Sequence, residues 1–490
     1  MTSEPPDSAV DIVASELCEP EPSSELSPPQ PRPRTTARTI VSLTWPVVLG
    51  QFMANAVPIF DLIMLRRYGT PTLAAIGYAS QFLMLTQATL MAIGAAGVAM
   101  MARAIGARDL LRARRAFAAN LWLALGVTGT TLLVTLVFPE QLLRMLAVND
   151  AVTHLAVPYL RLTLTAAPLM AIALTYESAF RAARDTFRPM LVVCLVALVK
   201  FGCNLLLLTG VWGLPKLGLQ GAGISTLVSQ FVGASLFIAV SRMHHHSAVR
   251  LGLRDMLIPR ELLREAFDLA WPAVAERFTM NAATLIYFRF LGGYGLEAIA
   301  AYNIGVRILA FTWIPGLGLS VAAATLVGQA LGAGDPAAAR RAGTVASRIG
   351  ALIALTLALM FIALRAPLAR AFTEDPTVIK ALEPFILLLG VGLPFLVAHF
   401  TLAGALRGAG DTLTPLWAAA VGNWVFRVPL GYLCAQILGL DLFWVWSIMI
   451  VDHFSRALWL QHAFKHGRWH ERVGVTTRSK RSEQRVATAT

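Results

Sequence analysis

"TWPVVLGQFMANA" (residues 44–56) and "AWPAVAERFTMNA" (270–282) read as one segment written twice, 226 positions apart. The same ungapped offset lays "YGTPTLAA" (68–75) on "YGLEAIAA" (294–301) and "AIGARDLLRARRA" (104–116) on "ALGAGDPAAARRA" (330–342). It also brings "RAARDTFRP" (181–189) onto "RGAGDTLTP" (407–415), and Pro168 onto Pro394. One offset holding over roughly 150 residues marks a duplicated structural unit.

Composition says what the unit is made of. Of 490 residues 56% are hydrophobic and only 14% charged, where a soluble chain carries about a quarter. Mean hydropathy is +0.63. The apolar residues fall in blocks of about 20, the length that spans a bilayer as a helix. A closed barrel would need alternation with period 2, which these continuous blocks lack. Candidate spans lie near 39–65, 72–102, 115–138, 152–180, 187–211 and 220–242, then near 263–291, 298–327, 340–365, 379–405, 412–436 and 442–464. The expected fold is an all-α polytopic membrane protein of twelve transmembrane helices in two six-helix lobes. Six spans is an even number, so the repeats enter the membrane the same way round. Parallel repeats of this kind place transporter sites at their interface.

Residues 1–38, rich in Pro, Ser and Glu, read as a disordered tail. The N-terminal lobe is expected over 39–242, a cytoplasmic linker over 243–262, the C-terminal lobe over 263–464 and a basic tail over 465–490. The start of the chain lacks a cleavable signal pattern. Arg103, Arg108, Arg112, Arg114 and Arg115 crowd one loop, Arg181, Arg184 and Arg188 another, and Arg340, Arg341 and Arg348 a third. By the positive-inside rule these loops and both termini are cytoplasmic, in the plasma (inner) membrane. The same bias accounts for the net charge of +13, and no aromatic-interleaved basic module points to nucleic acid. Cys18, Cys194, Cys203 and Cys434 are scattered and form no metal-ligand or disulfide pattern. HExxH, CxxC, a Ser/His/Asp arrangement and a phosphate loop are all lacking, so neither an enzyme nor direct ATP drive is expected.

Three repeated features carry a family resemblance: Trp45-Pro46 and Trp271-Pro272, the loops Gly106–Asp109 and Gly332–Asp335 each followed by an Arg-Arg pair, and Arg181–Pro189 with Arg407–Pro415. From about Thr39 to Ala463 the chain resembles the multidrug and toxic compound extrusion (MATE) transporters. The resemblance implies two lobes around a central cleft, and export of cationic or amphipathic compounds against inward proton or sodium flow. No cofactor is implied beyond the coupling ion, proton before sodium. The partners expected are a small organic substrate and membrane lipid, with the chain a monomer.

Asp61 heads the candidate residues. It sits late in the first span, where the family keeps an acid in its N-lobe cation site. Desolvation disfavours the charged form of a carboxylate, so an intramembrane acid can trade a proton near neutral pH. A competing reading pairs Asp61 with Arg66 or Arg67. Lys200 and Asn204, four apart, share one face of the fifth span, where the family has polar residues that complete the site. Lys200 departs from that pattern; it either fills the place of a sodium ion or snorkels to the surface. Glu276 and Arg277, early in the seventh span, are candidates for coupling or substrate binding; Glu276 either stands in for a coupling acid from one turn away or pairs with Arg277 or with an arginine of the adjacent lobe. The resemblance puts a second-lobe glutamate where this chain has Met280 and another acid where it has Leu396, which leaves sodium coordination there in doubt. Phe52, Met53, Phe278, Met280 and Tyr287 are candidate substrate contacts, soft and aromatic surfaces suited to organic cations. The alternative to multidrug export is a lipid-linked oligosaccharide flippase of related fold, kept open by the arginines within spans.

Overall fold

A computed structural model describes residues 37–146, 150–210, 216–243 and 247–469. The outer parts of both expected tails, and His244–His246, lie outside the described residues. The first half supplies α1 (Ala37–Leu65), α2 (Thr70–Gly106), α3 (Leu110–Val137), α4 (Asp150–Thr165 and Ala167–Ala182), α5 (Phe187–Thr209) and α6 (Gly218–Met243). The second supplies α7 (Arg260–Leu291), α8 (Leu296–Gly332), α9 (Pro336–Ala363) and α10 (Pro376–Gly408). There α11 begins as Leu413–Val421 and continues through π-helical turns at Gly422–Arg427 and Leu433–Ile437, and α12 spans Leu442–His466. Every expected span coincides with one of these helices.

Among the described residues nine helices are long and apolar enough to cross a membrane by length and composition. The other three are α7, which opens on a run of charges, α11, which its π turns divide, and α12, which carries Asp452 and Arg456. Two short helices escaped the reading of the sequence, Pro139–Arg144 after α3 and Arg365–Phe372 after α9. They too obey the repeat offset.

The repeated turn motifs are helix-initiating devices. Asp109 Oδ1 accepts from Arg112 N and Asp335 Oδ1 from Ala338 N, both at 2.8 Å. Asp185 and Asp411 do the same for Arg188 N and Thr414 N at 3.1 Å. Each satisfies a donor that the first helical turn leaves without a partner. The residue before each aspartate is left-handed: Gly334 (φ 73°) and Gly410 (φ 87°) in the second half, Arg108 (φ 59°) and Arg184 (φ 63°) in the first.

Polar side chains organise the second lobe's interior. Arg456 Nε and Nη2 lie 2.5 and 2.7 Å from the two oxygens of Asp452, Arg456 Nη2 also donates to Asn423 Oδ1 (2.7 Å), and Arg427 Nη1 stands 3.8 Å from Asp452. Asp452 is 0% exposed and Arg456 2%. Gly422, in the π turn, lets the pair come this close, since a Cβ there would overlap it. His399 and His453 stack beside the network with ring centroids 5.4 Å apart.

The lobes meet by exchanging first helices: α1 packs on α8, and α7 on α2. At the end bearing the α2–α3 and α8–α9 turns their backbones nearly touch. A Cβ on Gly106 would overlap the Gln329 carbonyl, and one on Gly332 the Arg103 carbonyl. Gln329 Nε2 donates to Ala182 O (2.7 Å) and Thr325 Oγ1 to Arg181 O (3.1 Å). Glu265 on α7 faces Arg112 at 3.2 Å and Arg103 at 3.6 Å.

Two outcomes follow from this packing. Gly106→Ala or Gly332→Ala pushes the lobes apart at this end, so spin labels placed at Ala107 and Ala333 should report a longer mean distance; an unchanged distribution would refute the contact. Asp452→Asn leaves buried guanidinium charge without its carboxylate, a loss of about 3–5 kcal/mol. The purified protein's apparent melting temperature should fall by several degrees, and an unchanged melting curve would show that the network contributes little.

Candidate functional site

Pro58 removes one backbone donor from α1, and Asp61 follows three residues later. Helix α5 runs alongside both α1 and α6. Its two polar residues, one turn apart, therefore meet Asp61 on one side and α6 on the other. Asn204 Nδ2 donates to Asp61 Oδ1. Lys200 Nζ stands 3.2 Å from Asp61 Oδ2 and also donates to Thr226 Oγ1 (2.8 Å) and Ala222 O (3.2 Å). An ammonium has three donors, and here each meets an oxygen.

Lys200 is 5% exposed and Asn204 1%. The lysine is thus packed inside the lobe and does not snorkel to the surface. Asp61 is paired with Lys200, whereas Arg66 is exposed beyond the end of α1. The side chain of Arg67 lies outside the described residues.

Beside this triad lies a cavity of about 330 Å³. Asp61, Lys200 and Thr226 form part of its wall, with Glu177 and Arg181 of α4, and Arg277 and Arg407 reach it from α7 and α10 of the other lobe. Two of these arginines are repeat equivalents, Arg181 and Arg407, and each is held by a carboxylate. Arg181 pairs with Glu177 one turn back on its own helix. Arg407 Nη2 contacts both oxygens of Glu276, at 2.8 and 2.6 Å. Glu276 is therefore tied within its own lobe, to Arg407 and not to its neighbour Arg277.

Arg277 lies on this wall, but none of the five soft or aromatic candidates does. Phe52 is exposed, its ring 5.6 Å from Phe311 across the lobe interface, and Phe278 is exposed as well. Met53 and Met280 are partly buried elsewhere. Tyr287 is 0% exposed in the second lobe, where its hydroxyl donates to Val445 O (2.6 Å) and Arg427 lies 5.1 Å from the ring centre. Leu396, where the resemblance would place an acid, is buried among apolar side chains. The soft wall is built instead from Met91, Met170 and Tyr159, with Gln51, Gln87 and Gln230 as neutral polar contacts. Lone amides within apolar runs were the available signal for the last three.

Comparison with known proteins agrees with this geometry. The MatE family model matches residues 46–206 and 272–433, one match in each half. A probable multidrug resistance protein NorM of Thermotoga maritima is 27% identical over 90% of this chain and 94% of its own length. A protein of the same description from Deinococcus radiodurans is 31% identical over 85% and 93%. The crystal structure of the Vibrio cholerae MATE transporter VcmN in the bent form shares the fold, with a TM-score of 0.81 at 20% identity, over 89% of this chain and 98% of that one. Matched in both halves and aligned with relatives along nearly their whole length, the chain belongs to the MATE family of membrane transporters.

Proposed function

We propose that the chain is a secondary antiporter that exports amphipathic organic compounds in exchange for protons, with Asp61 as the group that exchanges. The observation that carries this reading is the seat of Lys200, whose ammonium occupies the oxygen-lined position beside Asp61 that a sodium ion would need. A metal cation would meet a fixed positive charge there, while a proton would not. Protonating Asp61 cancels its attraction for Lys200, and a desolvated ammonium that loses its counter-ion is costly to keep in place. Proton uptake therefore alters both the charge of the cavity wall and the tie between α1 and α5. Antiport requires this kind of opposed coupling between ion and substrate.

The arginine-rich turns are read as cytoplasmic. The lobes touch at that end, so this conformation is closed to the cytoplasm. The relatives described as multidrug resistance proteins support export of organic compounds. Matching of both halves to the MatE family model weighs against the flippase alternative.

In proteoliposomes holding the full chain, a pH gradient alone should drive movement of a xanthene dye. Asp61→Asn should lower the initial rate by about tenfold or more, a barrier raised by about 1.4 kcal/mol or more. Movement only under a sodium gradient would sink the proton reading. Lys200→Asn clears the cation position, and the expected result is a sodium stimulation that the natural protein lacks. If sodium has no effect on that variant, Lys200 is not what excludes it.

A further inference from the structure

The charges on the cavity wall do not cancel. Among the described residues four cations face it, Arg181, Lys200, Arg277 and Arg407. Three carboxylates answer them, and each is already engaged: Glu177 by Arg181, Asp61 by Lys200 and Glu276 by Arg407. Arg277 is left over. It makes no ion pair or hydrogen bond among the described residues, although it lies near the middle of α7 and borders the cavity. Duplication does not impose this charge, because the equivalent position of the first half holds Gln51, a neutral residue on the same wall.

An arginine within a span is expensive unless something answers it. Glu276 beside it attracts it without direct contact and is itself bound to Arg407, and the cavity is where a direct partner for Arg277 has room to enter. Guanidinium presents a planar fork of donors that matches carboxylate and phosphate oxygens in two parallel hydrogen bonds. Nearby, Met91 and Met170 offer an adaptable apolar surface. We infer that the transported compound is an amphipath with a carboxylate or phosphate group, held through that group by Arg277, so that net organic cations are the poorer substrates. This deepens the export reading above and rests on it for the word "transported"; the binding geometry stands without it.

The test is equilibrium binding, which needs no gradient. The probes are a xanthene dye with a free carboxylate and its methyl ester, identical except that the ester has lost the negative charge. Fluorescence anisotropy is read on the purified full chain in neutral detergent. The free acid should bind about tenfold more tightly than the ester, the contribution of one charge-assisted contact. Arg277→Gln should bring the ratio close to one by weakening the acid and leaving the ester unchanged. Arg277→Lys should restore part of the preference, which a variant that merely disturbs packing would not. Equal binding, preference for the ester, or a ratio untouched by Arg277→Gln overturns the assignment. Because these ratios are independent of coupling, a protein that discriminates the dyes but transports neither would refute the antiporter and leave the anion site standing. Proton-driven transport without discrimination would do the reverse.

Discussion

A charge inside a bilayer has to be answered by another group of the same protein, by a proton, or by a ligand. The chain meets this constraint in two ways in its two lobes. The repeat offset sets Asp61 of α1 against Tyr287 of α7, Thr226 of α6 against Asp452 of α12, and Gln230 against Arg456. Both lobes thus keep a polar cluster where their first, fifth and sixth helices meet, yet acid and neutral partner have changed places. In the second lobe the acid is fully buried, and one carboxylate serves two arginines. In the first lobe acid and ammonium stand together on a cavity wall. One copy of the duplicated unit buries its acid among arginines, and the other sets its acid and ammonium at the edge of a cavity.

That division shapes the lobe interface. Helices α1, α2, α7 and α8 carry the contacts between halves, and the small residues Gly106 and Gly332 let backbone meet backbone where α2 and α8 end. Such contacts have no soft side chain to absorb a displacement, so the lobes either touch at this end or part. The cavity is lined by residues of both lobes, so its shape depends on this contact.

The fold was legible in the sequence because bilayer thickness and hydropathy constrain span length directly, and the fixed offset paired the halves without reference to contacts. Asp61, Lys200 and Asn204 were legible because a polar residue in an apolar helix stands out, and a spacing of four places two on one face. The partners were not. Glu276 turns to Arg407, 131 positions away, and only tertiary packing brings the two together. Phe52, Phe278 and Tyr287 lie off the cavity wall for a related reason: an aromatic residue suits a lipid-facing surface, a lobe interior and a substrate wall equally well, and the rotation of its helix decides among them. The short helices after α3 and α9 were hidden because six to eight residues carry too little periodicity to register.

The two arginines held in left-handed backbone, Arg108 and Arg184, have glycines as their counterparts in the second half. A side chain in that conformation costs about 1–2 kcal/mol that glycine avoids. The cost falls on the half of the chain that leaves the ribosome first, when positive charge in a short loop decides which side of the membrane the loop keeps. By the time the second half emerges its orientation is already constrained, and its turns are free to use the residue that fits them best.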